Sequence, residues 1–181
     1  HLRLLIIGGG YIGYEKLNAV LLNSPATHIT LVASKVSTAV NELAGSSQHV
    51  TLHERPYTIA DLDQADIVII AINDKASSYS IYQEARKKGK LVNVADTPDL
   101  CDFYLGAIVS KGNLKIGIST NGMSPTIAKR IKEVLNETLP DQINVVLDNM
   151  QVIRNRLKGD FQEKVRKLND LTRILVEKNE E

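Results

Sequence analysis

The run Leu4-Leu5-Ile6-Ile7-Gly8-Gly9-Gly10-Tyr11-Ile12-Gly13 constrains this chain more than any other stretch. Four consecutive apolar residues ending in glycine read as a buried strand. Ile12, Leu17, Val20 and Leu21 then recur at helical spacing, so the segment predicts a strand, a tight turn and a helix packed back onto the strand. Gly8, Gly10 and Gly13 have the G-x-G-x-x-G spacing. Without side chains the turn can be tight, and backbone donors at a helix N-terminus can approach a pyrophosphate. Glycine triplets also end ordinary buried strands, so the motif takes its meaning from its place between strand and helix. On that ground Gly8, Gly9, Gly10, Tyr11, Ile12 and Gly13 are the first candidates for holding a dinucleotide cofactor.

The next hundred residues repeat this grammar. Strand-like segments at His28–Val32, His49–His53, Ile67–Ala71 and Leu91–Val94 alternate with helical patterns at Val36–Leu43 and about Ala76–Lys88. The expectation is α/β, a Rossmann-like parallel sheet covered by helices over residues 1–100. The second strand runs into Ala33-Ser34-Lys35, where a NAD-specific fold commonly carries an Asp or Glu bonded to the adenosine ribose. Ser34 can bond the ribose and Lys35 can meet a 2′-phosphate, which leaves NAD and NADP both open; the alternative is that both residues solvate a loop. Asn73 and Asp74 follow the fourth strand, either at the cofactor's edge or capping the next helix. Asp96 follows the fifth, at the carboxyl edge where catalytic groups collect, and Pro98 forces the chain to turn there. Asp61, Asp63 and Asp66 read as caps and solvating groups around a short helix.

Beyond residue 100 the pattern changes. Phe103–Val109 and Leu114–Thr120 are strand-like and separated by Ser110-Lys111-Gly112-Asn113, a hairpin signal. A lone hairpin buries little, and pairing with a second subunit would complete it, so residues 101–140 are expected to be a dimerisation region. Ser124 and Pro125 open a helix over Thr126–Leu139, and amphipathic patterns at about Gln142–Lys158 and Asp160–Glu177 predict a small helical domain over 141–181.

Composition excludes several classes. A formal net charge of +1 gives no basic surplus for nucleic acid. No apolar run reaches membrane-spanning length and no cleavable signal opens the chain, so no membrane partner and a cytoplasmic location are expected. Cys101 is the single cysteine, which excludes an intrachain disulfide and a thiolate cluster; its default role is burial as a small hydrophobe. His49 and His53 share a strand face without a third ligand, so no resident metal is expected.

The order of motifs resembles the precorrin-2 dehydrogenase and sirohydrochlorin ferrochelatase family of sirohaem synthesis, including the front part of fused sirohaem synthases. The matching pieces are LLIIGGGYIGYEKLNAVL, DIVIIAINDKA, LVNVADTPDLCDFYLGAIV and LKIGISTNGMSPTIAKRIKEVL, which span about residues 2–140. The last two are more specific than the glycine loop, because generic Rossmann enzymes do not share them. The resemblance implies an N-terminal NAD-binding domain, a central dimerisation region and a helical C-terminal domain in an intertwined homodimer. It also implies oxidation of precorrin-2 to sirohydrochlorin with NAD+ as hydride acceptor; some members insert Fe2+ as well, which would pass through only transiently. Carried onto this chain, the functional aspartate is Asp96, the phosphate loop is Gly8, Gly9, Gly10 and Ile12, and the second nucleotide edge is Asn73 and Asp74. A substrate with many carboxylates needs donors and positive charge. Lys111, Lys115, Lys129 and Arg130 are candidates, as are Ser119, the backbone around Asn121 and Gly122, and the helix start near Ser124. Each also reads as an ordinary surface or strand-ending group. A nucleotide- or tetrapyrrole-binding sensor without catalysis is the alternative function.

Overall fold

In a computed structural model that describes residues 2–173, the β-branched and leucine-rich runs form the strands β1 (Arg3–Gly9), β2 (His28–Val36), β3 (Val50–Glu54), β4 (Ile67–Ile70) and β5 (Leu91–Val94). They make one parallel sheet in the order β3-β2-β1-β4-β5. Helices α1 (Tyr11–Asn23), α2 (Thr38–Gly45) and α3 (Lys75–Lys87) connect them. Strand side chains alternate between faces, and this sheet uses both. Leu5, Ile7, Val68, Ile70, Val92 and Val94 pack with Ile81 and Ala85 of α3. Leu4, Ile6, Ile29, Leu31 and Ile69 pack on the other face with Leu17 of α1 and with Val40 and Ala44 of α2. Being covered on both sides explains why these strands read as continuous apolar runs. β1 is paired with β2 on one side and β4 on the other, so the strand order reverses at the carboxyl end of β1, where such sheets open a ligand crevice.

The remaining elements are a hairpin, β6 (Ala107–Lys111) and β7 (Leu114–Ile118), and the helices α4 (Pro125–Thr138), α5 (Ile143–Arg156) and α6 (Phe161–Thr172). The chain divides into two compact units. The first takes residues 1–106 and 119–125; the second takes 107–118 and the chain from 126 onward. Among the described residues no helix is long and apolar enough to cross a membrane.

The structure corrects several expected boundaries. β2 does not stop at Val32 but continues to Val36, because Val36 still pairs with Gly9 and the Glu54 carboxylate accepts from the Val36 N–H at 3.2 Å. The following helix accordingly starts at Thr38, with Ser37 as its cap. The hairpin's first strand begins at Ala107, not Phe103, since residues 101–103 are held along β5. There the Asp102 N–H donates to the Val92 carbonyl at 2.7 Å, and the buried Asn93 amide donates to the Phe103 carbonyl at 2.8 Å. Ser110 and Lys111 lie in the strand, and the turn is only Gly112-Asn113, with Gly112 at φ 57°. Asp160 caps α6 by accepting from the Glu163 N–H at 2.8 Å. The expected continuation of that helix to Glu177 falls beyond the described residues.

Candidate functional site

The glycine turn shows which glycines are needed for packing and which for access. A Cβ on Gly8, at φ 125°, would stand 2.2 Å from the carbonyl oxygen of Ala71, just past the end of β4. A Cβ on Gly13 would stand 2.1 Å from the Gly8 carbonyl oxygen, so this glycine lets α1 close onto the strand. Around Gly10 nothing lies within 4 Å of the same position. Gly10 is the helix N-cap and offers no side-chain cap, so the first N–H groups of α1 are not satisfied by a cap residue. Open space in front of those donors, together with the positive end of the helix dipole, fits a pyrophosphate. Ile12 is half-buried and Tyr11 is 80% exposed, so the expected contact with Tyr11 is one its side chain does not need to make through the core.

The turn opens into a cleft of about 630 Å³ on the first unit. Its walls come from Ile7, Gly8 and Gly9 of β1, Val32 to Lys35 of β2, Tyr57 to Ile59 of the connection before β4, and Ile72, Ser77, Ser80, Ile81 and Glu84 around α3. Ser34 was expected here and lies in the wall. Tyr57, Thr58 and Glu84 were not picked out from the sequence. The Tyr57 hydroxyl donates to the Glu84 carboxylate at 2.8 Å, and burial, followed by that carboxylate, raises the phenol above its ordinary value. Thr58 begins a 3-10 turn at Ile59–Leu62, in a capping box with Asp61. The Asp61 carboxylate accepts from both Arg55 nitrogens, at 2.5 and 2.9 Å; this pairing first, and the Thr58 N–H after it, hold it down at about 2. A Thr-x-x-Asp spacing was the signal that could have marked this loop.

Asp74 is engaged as the cap of α3, accepting from the Ser77 N–H at 2.8 Å, and hydrogen bonding to Ser77 keeps its carboxyl below the ordinary value. Asn73 is exposed beside it, after the end of β4. Asp96 is exposed at the end of β5 and adopts φ 57°. Among the described residues only Asp96 and Asn121 are non-glycine residues at positive φ. That conformation costs roughly 1 kcal/mol for an L-residue, less for Asp and Asn than for branched types. Both were singled out as functional candidates on other grounds, and both belong to the first unit. Tyr104, which the sequence did not flag, links their loops. Its hydroxyl donates to the Pro98 carbonyl at 3.3 Å, and its ring lies 3.7 Å from where a Gly122 Cβ would stand.

Below Asp96 the chain is fastened. The Arg86 guanidinium donates to both Asp102 oxygens at 2.7 and 2.8 Å, and Asp102 also accepts from the Val92 N–H at 2.9 Å. The Cys101 thiol is half-buried and donates to the Val94 and Thr97 carbonyls at 3.2 and 3.3 Å; burial pushes it up, which suits a packing role. On the other loop Ser119 Oγ accepts from the Asn121 N–H at 3.2 Å, and Thr120 Oγ1 accepts from the Ser124 N–H at 3.1 Å.

The cations expected to meet the substrate belong to the second unit. Lys111 requires a correction. Its ammonium donates to the Leu139 carbonyl at the end of α4 and to Asp141 at 2.8 Å, with 15% of the side chain exposed, so it is committed to closing a helix terminus. Arg130 pairs with Glu133 one turn away at 2.6 Å, while Lys115 and Lys129 are exposed. Among the described residues no group of three His, Cys, Asp or Glu side chains is arranged to hold a metal ion. His49 instead packs edge-on against His28, with ring centroids 5.2 Å apart.

Comparison with known proteins agrees with this geometry. Residues 1–107 match the family model described as putative NAD(P)-binding, and residues 111–137 match the model described as sirohaem biosynthesis protein central. The cofactor class is therefore a nicotinamide dinucleotide. A sirohaem synthase of Psychrobacter cryohalolentis is 30% identical over 163 residues, 90% of this chain and 30% of that protein. The sirohaem biosynthesis protein met8 of Schizosaccharomyces pombe is 32% identical over 159 residues, 86% of this chain and 59% of that protein. The chain thus spans about a third of the length of the sirohaem synthases it matches. Among solved structures, SirC, a precorrin-2 dehydrogenase, superposes with a TM-score of 0.73 at 28% identity, covering 94% of this chain and 84% of that one. The chain therefore belongs to the putative NAD(P)-binding family, and that domain is followed by the central segment found in sirohaem biosynthesis proteins.

Proposed function

We propose that this chain oxidises precorrin-2 to sirohydrochlorin with NAD+ as hydride acceptor. The observation that carries the reading is the likeness to the precorrin-2 dehydrogenase SirC over 94% of the chain. Gly8, Gly9, Gly10, Tyr11, Ile12 and Gly13 would hold the pyrophosphate, with Ser34, Asn73 and Asp74 along the rest of the dinucleotide. The nicotinamide, when bound, supplies the hydride acceptor. The reaction then releases one proton, and the protein's part is to orient the macrocycle and receive that proton. Asp96 is assigned this step: its carboxylate is exposed at the carboxyl edge of the sheet on a backbone held in an uncommon conformation. Ser119, Asn121, Gly122, Ser124, Lys115, Lys129 and Arg130 are assigned to the substrate's carboxylates. Residues 101–140 would pair two copies, and 141–181 would form a helical domain on each.

The test is anaerobic turnover of fresh precorrin-2, following NADH and the tetrapyrrole spectrum together. Stoichiometric NADH and sirohydrochlorin over many turnovers are expected. Asp96→Asn should lower kcat about 100-fold, the size of a general-base contribution, while leaving NAD+ affinity within about twofold. Near-normal turnover in that variant removes the assignment of Asp96, and tight binding without any turnover leaves a sensor. Iron insertion is a separate reaction, read by supplying Fe2+ and sirohydrochlorin with NAD+ omitted.

A further inference from the structure

The cleft contains one irregularity that the glycine motif does not require. β1 and β2 are in register from Arg3 with His28 to Ile7 with Val32, and the next pair is Gly9 with Val36. Two residues of β1 are therefore matched by four of β2, and Ala33, Ser34 and Lys35 bulge opposite Gly8. Bulges beside active sites re-aim side chains, and this one brings Ser34 and Lys35 into the cleft wall. It is seated on Gly9: a Cβ there would stand 2.6 Å from the Lys35 carbonyl oxygen and 2.8 Å from the Ala33 Cβ. The middle glycine of the triplet, which has no place in the G-x-G-x-x-G spacing, is thus explained by the bulge.

In dinucleotide folds the end of this strand meets the adenosine ribose, and an acid there bonds the 2′-hydroxyl and repels a 2′-phosphate. Here the position carries Ala33, a hydroxyl and an ammonium. The nearby carboxylates are occupied elsewhere. Glu54, beside Ala33 on β3, accepts from the Val36 N–H; Glu84 accepts from Tyr57; Asp61 is held by Arg55. Among the described residues no ion pair engages Lys35.

We propose that the β2 bulge is a 2′-phosphate subsite, in which Ser34 and Lys35 allow the cleft to take 2′-phosphorylated dinucleotide as well as NAD+. The proposal rests on reading this cleft as the dinucleotide site. It is tested by calorimetric titration of the full chain with 5′-AMP, adenosine 3′,5′-bisphosphate and adenosine 2′,5′-bisphosphate, which separates a placed phosphate from added charge. The 2′,5′-bisphosphate should bind about tenfold more tightly than either of the others. Lys35→Ala should remove that preference, and Lys35→Arg should keep most of it. NADP+ should displace the 2′,5′-bisphosphate competitively. Equal binding of the two bisphosphates, or tighter binding of 5′-AMP, overturns the subsite while leaving the dinucleotide reading in place. A folded chain that binds none of the nucleotides, and neither NAD+ nor NADP+, overturns both.

Discussion

The two units of this chain solve the problem of burial differently. Apart from Val109, every fully buried large side chain among the described residues, from Leu5 to Val92, lies in the first unit, on one face or the other of the parallel sheet. Among the described residues the second unit contributes only Val109 and Ala128 to the buried apolar set. Its helices expose Ile127, Ile131 and Val134 on α4, and Val145, Val146 and Val152 on α5. A two-stranded sheet has one small face to offer, whereas a five-stranded parallel sheet offers two large ones. The lesson is that the first unit closes its own core, and the second carries apolar surface suited to a further partner, which is the basis for proposing a second copy there.

The largest expected effect bears on the first unit's turn. Gly8→Ala forces a Cβ toward the Ala71 carbonyl from a positive-φ backbone and should cost about 3 kcal/mol or more in urea unfolding. Gly10→Ala, with open space around it, should cost less than about 1 kcal/mol yet weaken dinucleotide binding at least about tenfold. Equal destabilisation by the two would break the division between packing and access glycines. Next is the contrast between cores. Leu31→Ala should lose about 3 kcal/mol, within the usual range for a fully buried leucine, while Val146→Ala should stay within about 0.5 kcal/mol in the monomeric chain. A comparable loss at both sites at high protein concentration, shrinking on dilution, would sharpen the comparison by showing that Val146 is covered in a dimer.

A charge on the second unit tests the same idea directly. Ile131→Lys should shift the chain from dimer to monomer by sedimentation while leaving the sheet's thermal transition in place; an unchanged mass would remove α4 from the proposed interface. The last effect is electrostatic. The Asp61 carboxyl is lowered from 3.8 to about 2 by Arg55, so its stabilisation is fully present above about pH 4 and is lost as pH falls toward 2. Asp61→Asn should therefore cost of order 1 kcal/mol at pH 7, with the gap between variant and parent closing as pH falls from about 4 to about 2. A gap independent of pH would mean that the capping geometry, not the ion pair, holds the Tyr57 to Ile59 wall of the cleft.

Much of the first unit was legible because its signals are local. Apolar runs ending in Gly8, Ala71 and Asp96 announced buried strands, and residues at strand ends announced a ligand crevice. The missed wall residues Tyr57 and Glu84 are 27 apart in sequence, and no local pattern joins them. Asn93 was passed over inside an apolar strand, although a polar residue in such a run needs a partner; it finds the Phe103 carbonyl. Lys111 looked like a free cation because nothing in its own neighbourhood shows that the end of α4, 28 residues away, returns to it.

The sequence by itself determined the alternation of strands and helices, the glycine turn and the placing of Asp96, since each depends on side-chain periodicity or on residues within a few positions of one another. Tertiary structure alone decided where β2 ends, which carboxylates are occupied and which cations remain exposed. Those outcomes depend on backbone groups of distant segments meeting their partners: Val36 with Gly9, Asp102 with Val92, Lys111 with Leu139. A buried or strand-ending hydrogen-bonding group must be satisfied by something, but which segment supplies the partner is set by how the layers pack.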